Sequence, residues 1–216
     1  MRRGAGLPAA IAALCWGLTG CAGAGAPPPA SVRPAVALQA YVVVDEDFTR
    51  RFGDRRGPGR TAVNNWLWET ERQMQTQFPV SLKLAGLGSW TLPAGALDGQ
   101  RIFAKYVPQV WPTGTRANCL IALTGRKAVY WSGVSQWPRL FVKVQAAEPV
   151  NAKTVAVLCH EISHWFGAVD IVDGRFPERS VMNYKDARFG MVGGRVTWDQ
   201  ANRRRMLKTM ATWGAR

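Results

Sequence analysis

The sequence predicts an α+β domain built on a mixed, twisted β-sheet, with helices between and after the strands. Short runs rich in β-branched and aromatic residues, typical of strands, alternate with longer segments whose apolar residues recur every three to four positions, as in helices. Hydrophobic residues make up 47% of the 216 residues and charged residues 19%, a balance typical of globular chains. We therefore expect a single folded domain at 36–216, long enough to bury one core.

The first half of this domain is predicted to contain two strands and two helices. They are, in order, a strand at Val36–Asp45, a helix at Thr61–Phe78, a strand at Val80–Ala85 and a helix at 98–111. The run Tyr41-Val42-Val43-Val44 marks the first strand as buried, and an Arg- and Gly-rich loop ends it. Pro79 stops the first helix, whereas Pro108 leaves the end of the second helix open.

The second half is predicted to contain three strands followed by two helices. The strands are expected at Asn118–Gly125, Ala128–Gly133 and Arg139–Val144, and the helices from Ala152 and after Thr197. The helix from Ala152 has one apolar stripe, formed by Val155, Leu158, Ile162 and Trp165. Thr197 suits the N-cap of the C-terminal helix, and Gln200 then takes the third helical position.

The helix from Ala152 carries the most informative pattern, His160-Glu161-x-x-His164 followed by Gly167 and Asp170. Residues four apart lie on one face of a helix, so both imidazoles can point a ring nitrogen at one metal ion. Glu161 lies beside that ion rather than on it, where its carboxylate can take a proton from water. Gly167 can adopt the left-handed conformation that ends a helix, which lets Asp170 approach the metal from outside. The chain has two histidines and both belong to this pattern, which therefore indicates a catalytic metal site with three protein ligands.

A second pattern, Ser180-Val181-Met182-Asn183-Tyr184, lies downstream of the first. Together the two resemble the metzincin zinc metallopeptidases, in which a methionine turn follows an extended His-Glu-x-x-His-x-x-Gly-x-x-His/Asp motif. The resemblance covers most of the mature chain, 36–213, and implies the fold of a metzincin catalytic domain. It also implies a zinc-dependent endopeptidase that hydrolyses a protein or peptide substrate with a metal-activated water.

The resemblance gives each residue of the site a role. These are His160, His164 and Asp170 as ligands of one zinc ion, Glu161 as general base, Tyr184 as hydrogen-bond partner of the oxyanion, and Met182 as a hydrophobic floor beneath the ligands. The alternative for Tyr184 is a tyrosine packed in the core. Most metzincins have a third histidine where this chain has Asp170, and Asp173 is a rival for the ligand role.

The substrate of such an enzyme is expected to lie extended along an edge strand. Ala128–Gly133 is the candidate, because metzincins place such a strand above the cleft.

A second hypothesis is a lipid-anchored envelope binding protein with a structural or degenerate zinc site. The presence of Glu161 argues against it, because a structural zinc site needs no base and usually has a fourth protein ligand.

The N-terminus predicts export. Arg2 and Arg3 precede an apolar stretch, Leu7–Leu18, that is too short to cross a bilayer and is typical of a signal-peptide core. The stretch ends in Leu18-Thr19-Gly20-Cys21, which resembles the lipobox of bacterial lipoproteins. This resemblance implies a signal peptide at 1–20 and a lipid on Cys21.

The same region sets the expected location of the domain. The alternative to lipidation is an ordinary secretory peptide cut near 22–24. Residues 21–35 are rich in Pro, Ala and Gly and should form a semi-extended tether. We therefore expect a protein of the bacterial cell envelope, anchored to a membrane by its lipid at the outer membrane or periplasmic face, and otherwise secreted.

The charge balance of the chain is strongly basic. Lys and Arg outnumber Asp and Glu by 28 to 14, which favours an anionic envelope polymer as a partner, although a solvated basic surface is the simpler reading. No nucleic-acid recognition motif accompanies the basic runs, so no specific nucleic-acid partner is expected.

Cys119 and Cys159 could form a disulfide or remain buried thiols, and the spacing leaves both open.

Overall fold

The structure, a computed structural model, describes residues 36–130, 132–144, 152–172, 179–183 and 191–214. The strands in this part of the chain are β1 (Val36–Val44), β2 (Val80–Ser89), β3 (Cys119–Thr124), β4 (Gly133–Gln136), β5 (Arg139–Lys143), β6 (Met191–Val192) and β7 (Arg195–Val196). The helices are α1 (Glu46–Phe52), α2 (Pro58–Gln75), α3 (Gly99–Lys105), α4 (Ala152–Trp165) and α5 (Gln200–Gly214), with a 3₁₀ turn at Val107–Val110. The signal peptide, the tether and Cys21 lie outside the described residues.

Five of these strands form one mixed sheet in the order β2-β1-β3-β5-β4. β1 is parallel to β2 and β3, and β3 is parallel to β5. β4 pairs antiparallel with β5 at the end of the sheet, with Gly133 opposite Val142. The predicted α+β class with a mixed sheet is confirmed.

The two faces of the sheet support separate hydrophobic cores. Along β1, Val42 and Val44 belong to the larger core and Val43 to the smaller one, as the alternation of a strand requires. The larger core includes residues of α2, α4 and α5, whereas the smaller one includes Ile102 of α3 and Phe141 of β5. The metal-binding pattern lies on α4 and thus on the side of the larger core.

Helix α1 stands where the sequence predicts only a loop. Asp45 caps it, because its Oδ1 accepts hydrogen bonds from the backbone N–H of Phe48 at 2.7 Å and of Gly125 at 3.1 Å. Phe48 is buried, and its ring packs edge-on against Trp66 of α2. A seven-residue helix with one buried side chain is too short for its periodicity to stand out in the sequence.

Several predicted boundaries are wrong. α2 begins at Pro58 rather than Thr61 and ends at Gln75 rather than Phe78, and β2 continues to Ser89 rather than Ala85. The strand expected at Ala128–Gly133 lies further along the chain, since β4 begins at Gly133 and the exposed fraction of Tyr130 is 78%. The N-cap of α5 is Asp199 rather than Thr197, because Asp199 Oδ1 accepts the N–H of Asn202 at 2.9 Å. The predicted α4, by contrast, begins at Ala152 as expected.

The two cysteines of the described chain are free thiols, which decides the choice that the sequence left open. Cys119 lies in β3 and Cys159 on the buried side of α4. Burial raises the pKa of the Cys119 thiol to about 12 and also raises the pKa of Cys159. Both thiols should therefore be unreactive in the folded protein.

This prediction can be checked by alkylation with iodoacetamide, followed by peptide mass spectrometry. Cys119 and Cys159 should be alkylated only after denaturation, and reduction should not change the result. Labelling of either thiol in the native protein, or labelling that requires a reductant after unfolding, would contradict the buried free-thiol state.

None of the helices in the described part of the chain combines the length and the hydropathy that a membrane span requires.

Candidate metal centre

Helix α4 positions the two histidines. The side chains of its apolar stripe are buried, with exposed fractions of 1% for Val155 and 0% for Ile162, so the helix is fixed against the sheet. His160 and His164 lie on the neighbouring face one turn apart, and their Nε2 atoms are 3.2 Å from each other. Two ring nitrogens at this separation can be ligands of the same ion.

Each imidazole is oriented by a backbone carbonyl. The Nδ1 atom of His160 lies 2.8 Å from the carbonyl oxygen of Val181, and the Nδ1 atom of His164 lies 3.0 Å from that of Ala168. Because a carbonyl oxygen only accepts, each Nδ1 must carry the hydrogen and donate it. The Nε2 lone pairs are then left for a metal, which is the usual arrangement of histidine ligands.

Asp170 completes a triangle of donor atoms. Gly167 ends α4 with a φ of 82°, the left-handed conformation that the sequence predicts for it. The chain then turns back, and Asp170 Oδ1 lies 3.2 Å from Nε2 of His160 and 3.5 Å from Nε2 of His164. In a tetrahedral zinc site with bonds of about 2.0–2.1 Å, ligand atoms are about 3.3–3.4 Å apart. The triangle therefore has the size that one zinc ion needs.

The hydrogen bonding of Asp170 supports the same reading. Its Oδ1 atom is buried and has no hydrogen-bond partner among the described residues. A buried carboxylate oxygen without a donor is costly, and a bound cation would satisfy it. The residues present thus fit a metal ion on the evidence of their own geometry.

The negative charge of the site also favours a cation. Burial by itself would raise the pKa of Asp170, but the contacts with His160 and His164 outweigh it and hold the pKa below its ordinary value. Burial would lower the pKa of His160, but Asp170 and Glu161 outweigh it and raise that pKa. The pKa of His164 is lowered by burial and by neighbouring His160. Asp170 therefore stays anionic at neutral pH and is available as a ligand.

Glu161 occupies a different position from the three donors. Its Oε1 atom lies 4.0 Å from Nε2 of His160, further than Asp170 Oδ1, although Glu161, His160 and His164 all have donor atoms within 4.8 Å of one another. Only 5% of Glu161 is exposed. Burial, partly offset by the charge of His160, raises the pKa of this carboxyl to about 7. Such a group can both accept and return a proton near neutral pH.

The edge strand β4 lies directly against Glu161. A Cβ atom added at Gly133 would lie 2.7 Å from Cδ of Glu161, which is closer than real Cβ atoms approach. Gly133 therefore leaves the space that the Glu161 carboxylate occupies. Nothing in the sequence indicates this role for Gly133, because the pattern there predicts only the end of a strand.

The Ser180–Asn183 segment supports the site from the other side. Val181 supplies the carbonyl for His160, and Met182 is fully buried in the larger core. The N–H of Ile171 donates to the carbonyl of Met182 at 2.8 Å, which ties this segment to the chain just after Asp170. Of the other residues predicted for the site, Tyr184 and Asp173 lie outside the described residues.

Comparisons with known proteins show a shared fold but do not identify a family. No family model matches the sequence, and no curated protein matches it. Among solved structures, the chain is similar to a crystal structure of an archaemetzincin from Methanopyrus kandleri, with a TM-score of 0.52 and 13% identity over 84% of this chain and 99% of that one. It is also similar to a chain in the structure of a chaperone–substrate complex, with a TM-score of 0.55 and 9% identity over 83% of this chain. The match spans about a third, 34%, of that second chain. At these identities the likeness shows a shared fold alone.

Proposed function

We propose that this protein is a zinc-dependent endopeptidase. The observation that carries the proposal is the triangle formed by Nε2 of His160, Nε2 of His164 and Oδ1 of Asp170, with the buried carboxylate of Glu161 beside it. The fold shared with an archaemetzincin supports it. Three protein donors leave one position open, as catalytic zinc sites do.

The chemistry follows from where each group lies. Bound zinc would supply a Lewis acid that polarises the scissile carbonyl and makes water a better nucleophile. His160, His164 and Asp170 would hold it. Glu161 would accept a proton from the attacking water and deliver it to the nitrogen of the leaving amine. In this proposal Tyr184 hydrogen-bonds the developing oxyanion, and Met182 is part of a methionine turn that forms the floor of the site.

The substrate would be an extended segment of protein or peptide. β4 pairs with β5 on one side and ends the order of the five-stranded sheet, so its other edge can pair with an added strand. Because Gly133 at the start of β4 contacts Glu161, a peptide along this edge would pass beside the general base. Pairing through the backbone gives affinity with little dependence on sequence.

The test is cleavage of a generic unfolded protein by the purified protein, with the new termini identified by mass spectrometry. Cleavage at peptide bonds that stops with a zinc chelator and returns with zinc would support the proposal. Bound metal without cleavage of any peptide substrate would instead favour the envelope binding protein as the function.

Gly133→Val tests the contact between β4 and Glu161. The added side chain should displace the Glu161 carboxylate, and a shift of about 1 Å in a catalytic group can cost about 100-fold in rate. We expect cleavage to fall by about that factor while zinc remains bound. Val134→Ala, on the next residue of the same strand, is the matched control and should cleave nearly as well as the wild type. Full activity of Gly133→Val would show that Glu161 does not need this space.

Export and anchoring are a separate part of the proposal and rest on the sequence. A lipid on Cys21 would hold the domain at a membrane, and the basic surface would suit an anionic envelope polymer rather than a specific nucleic acid. Cys21→Ser should move the protein from the membrane fraction to the soluble fraction of the producing bacterium. An unchanged distribution of this variant would refute lipid anchoring through Cys21.

A further inference from the structure

We propose that Asn202, on the first turn of α5, is a positioning residue that sets the third metal ligand, Asp170. The inference rests on the zinc site of the proposed function. Asn202 is far from α4 in the sequence, and its side chain touches none of the three donor atoms in any contact that the structure describes. It would act through the backbone of the residue just before Asp170.

The contact is a pair of hydrogen bonds to one residue. The N–H of Val169 donates to Oδ1 of Asn202 at 2.8 Å, and Nδ2 of Asn202 donates to the carbonyl of Val169 at 2.9 Å. A side-chain amide has one acceptor and one donor group side by side, so it can pair with both polar groups of a single residue. Few other side chains can replace it at this position.

Asn202 is itself held rigidly. Its exposed fraction is 2%, and its Nδ2 atom also donates to Oδ2 of Asp199 at 2.8 Å. The backbone N–H of Asn202 donates to Oδ1 of the same carboxylate at 2.9 Å. Oδ2 of Asp199 in turn accepts from the hydroxyl of Ser180 at 2.8 Å. The start of α5 therefore joins Val169 on one side to the Ser180–Asn183 segment on the other.

The segment that needs this support is the short stretch after Gly167. Ala168 is already held by α4, because its N–H donates to the carbonyl of Ser163 at 3.1 Å. Val169 lies beyond that bond, and 48% of it is exposed, so its side chain contributes little packing. The two hydrogen bonds between Asn202 and Val169 thus fix the chain between Ala168, the last residue bonded to α4, and Asp170. Held in this way, Asp170 Oδ1 lies 3.2 Å from Nε2 of His160 and 3.5 Å from Nε2 of His164 and has no hydrogen-bond partner among the described residues, which points to a metal ligand.

The experiment is a double-mutant cycle read out as zinc affinity. The dissociation constant of zinc is measured by competition with a chromogenic chelator for four full-length proteins, namely the wild type, Asn202→Leu, Asp170→Ala and the double variant. Loss of a residue that orients a ligand typically weakens metal binding by about 10–100-fold. We expect a loss of this size for Asn202→Leu in the wild-type background. In the Asp170→Ala background we expect less than about a threefold further loss, because the ligand that Asn202 positions is gone.

Controls separate positioning from general stability. Met210→Ala removes a buried side chain from the same helix and should lower the melting temperature while leaving zinc affinity within about twofold of the wild type. If Asn202→Leu does not fold, Asn202→Ser removes the same two bonds with a smaller apolar change and enters the same cycle. Thermal unfolding of the metal-free proteins shows which variants are folded.

The outcomes distinguish the two proposals. Wild-type protein that binds no zinc would refute the proposed function and this inference together. Zinc binding by the wild type that Asn202→Leu leaves unchanged, or weakens equally in both backgrounds, would overturn the role of Asn202 alone. A Met210→Ala variant that weakens zinc binding as much as Asn202→Leu would assign the effect to stability and would also overturn it.

Discussion

Replacing Glu161 with alanine should abolish measurable peptide cleavage and leave zinc bound. The carboxylate lies 4.0 Å from Nε2 of His160, further than the donor oxygen of Asp170, so its loss removes a proton acceptor rather than a ligand. A positioned general base contributes about 10²–10⁴-fold to rate, and the expected loss is at least of this size. The measurement is cleavage rate and zinc content of the same preparations.

Two further variants make the Glu161 result specific. Glu161→Gln keeps the size of the side chain and should be inactive as well, because an amide cannot accept the proton. Glu46→Ala removes an exposed carboxylate on α1 and should cleave like the wild type. Near wild-type turnover by Glu161→Ala would reject its role as the base, and loss of zinc from both Glu161 variants would make it a ligand.

Replacing His160 with alanine should remove the metal and, with it, the activity. Nε2 of His160 lies 3.2 Å from both Nε2 of His164 and Oδ1 of Asp170, so it is close to both of the other proposed ligand atoms. Its loss leaves two ligand atoms. Zinc affinity should therefore fall by more than the loss of about 10–100-fold that follows mutation of a residue that only orients a ligand. Equilibrium dialysis against buffered zinc measures the change.

The third ligand needs its own comparison, because Asp170 and Asp173 compete for it in the sequence. Asp170→Ala should weaken zinc binding strongly, since its Oδ1 lies within 3.5 Å of both imidazoles. Asp173→Ala is the matched control and should bind zinc as the wild type does. The reverse result would move the third ligand to Asp173 and refute the tetrahedral geometry described for Asp170.

The sequence predicted those parts of the site that depend on local spacing. Two histidines four apart and a following glycine specify a helix face and its end, and α4 and the positive φ of Gly167 follow that prediction. The long apolar strands were likewise predictable from their β-branched runs. These features require information only from neighbouring residues.

Features that depend on distant residues were not predictable. β4 begins five residues later than expected, because its limits are set by pairing with β5 rather than by the apolar run at Val129 and Tyr130. The hydrogen bonds between Val169 and Asn202 join residues 33 positions apart, and an asparagine in a helix does not indicate which residue it will bind. Gly133 is similar, since only the fold brings it against Glu161.

The most direct test of the catalytic zinc site is a titration of metal-depleted protein with zinc, followed by the rate of cleavage of an unfolded protein. Because His160, His164 and Asp170 form one triangle, we expect activity to rise in proportion to added zinc and to saturate at one ion per chain. Absence of zinc binding, or cleavage that does not change as zinc is removed and restored, would contradict the proposed function.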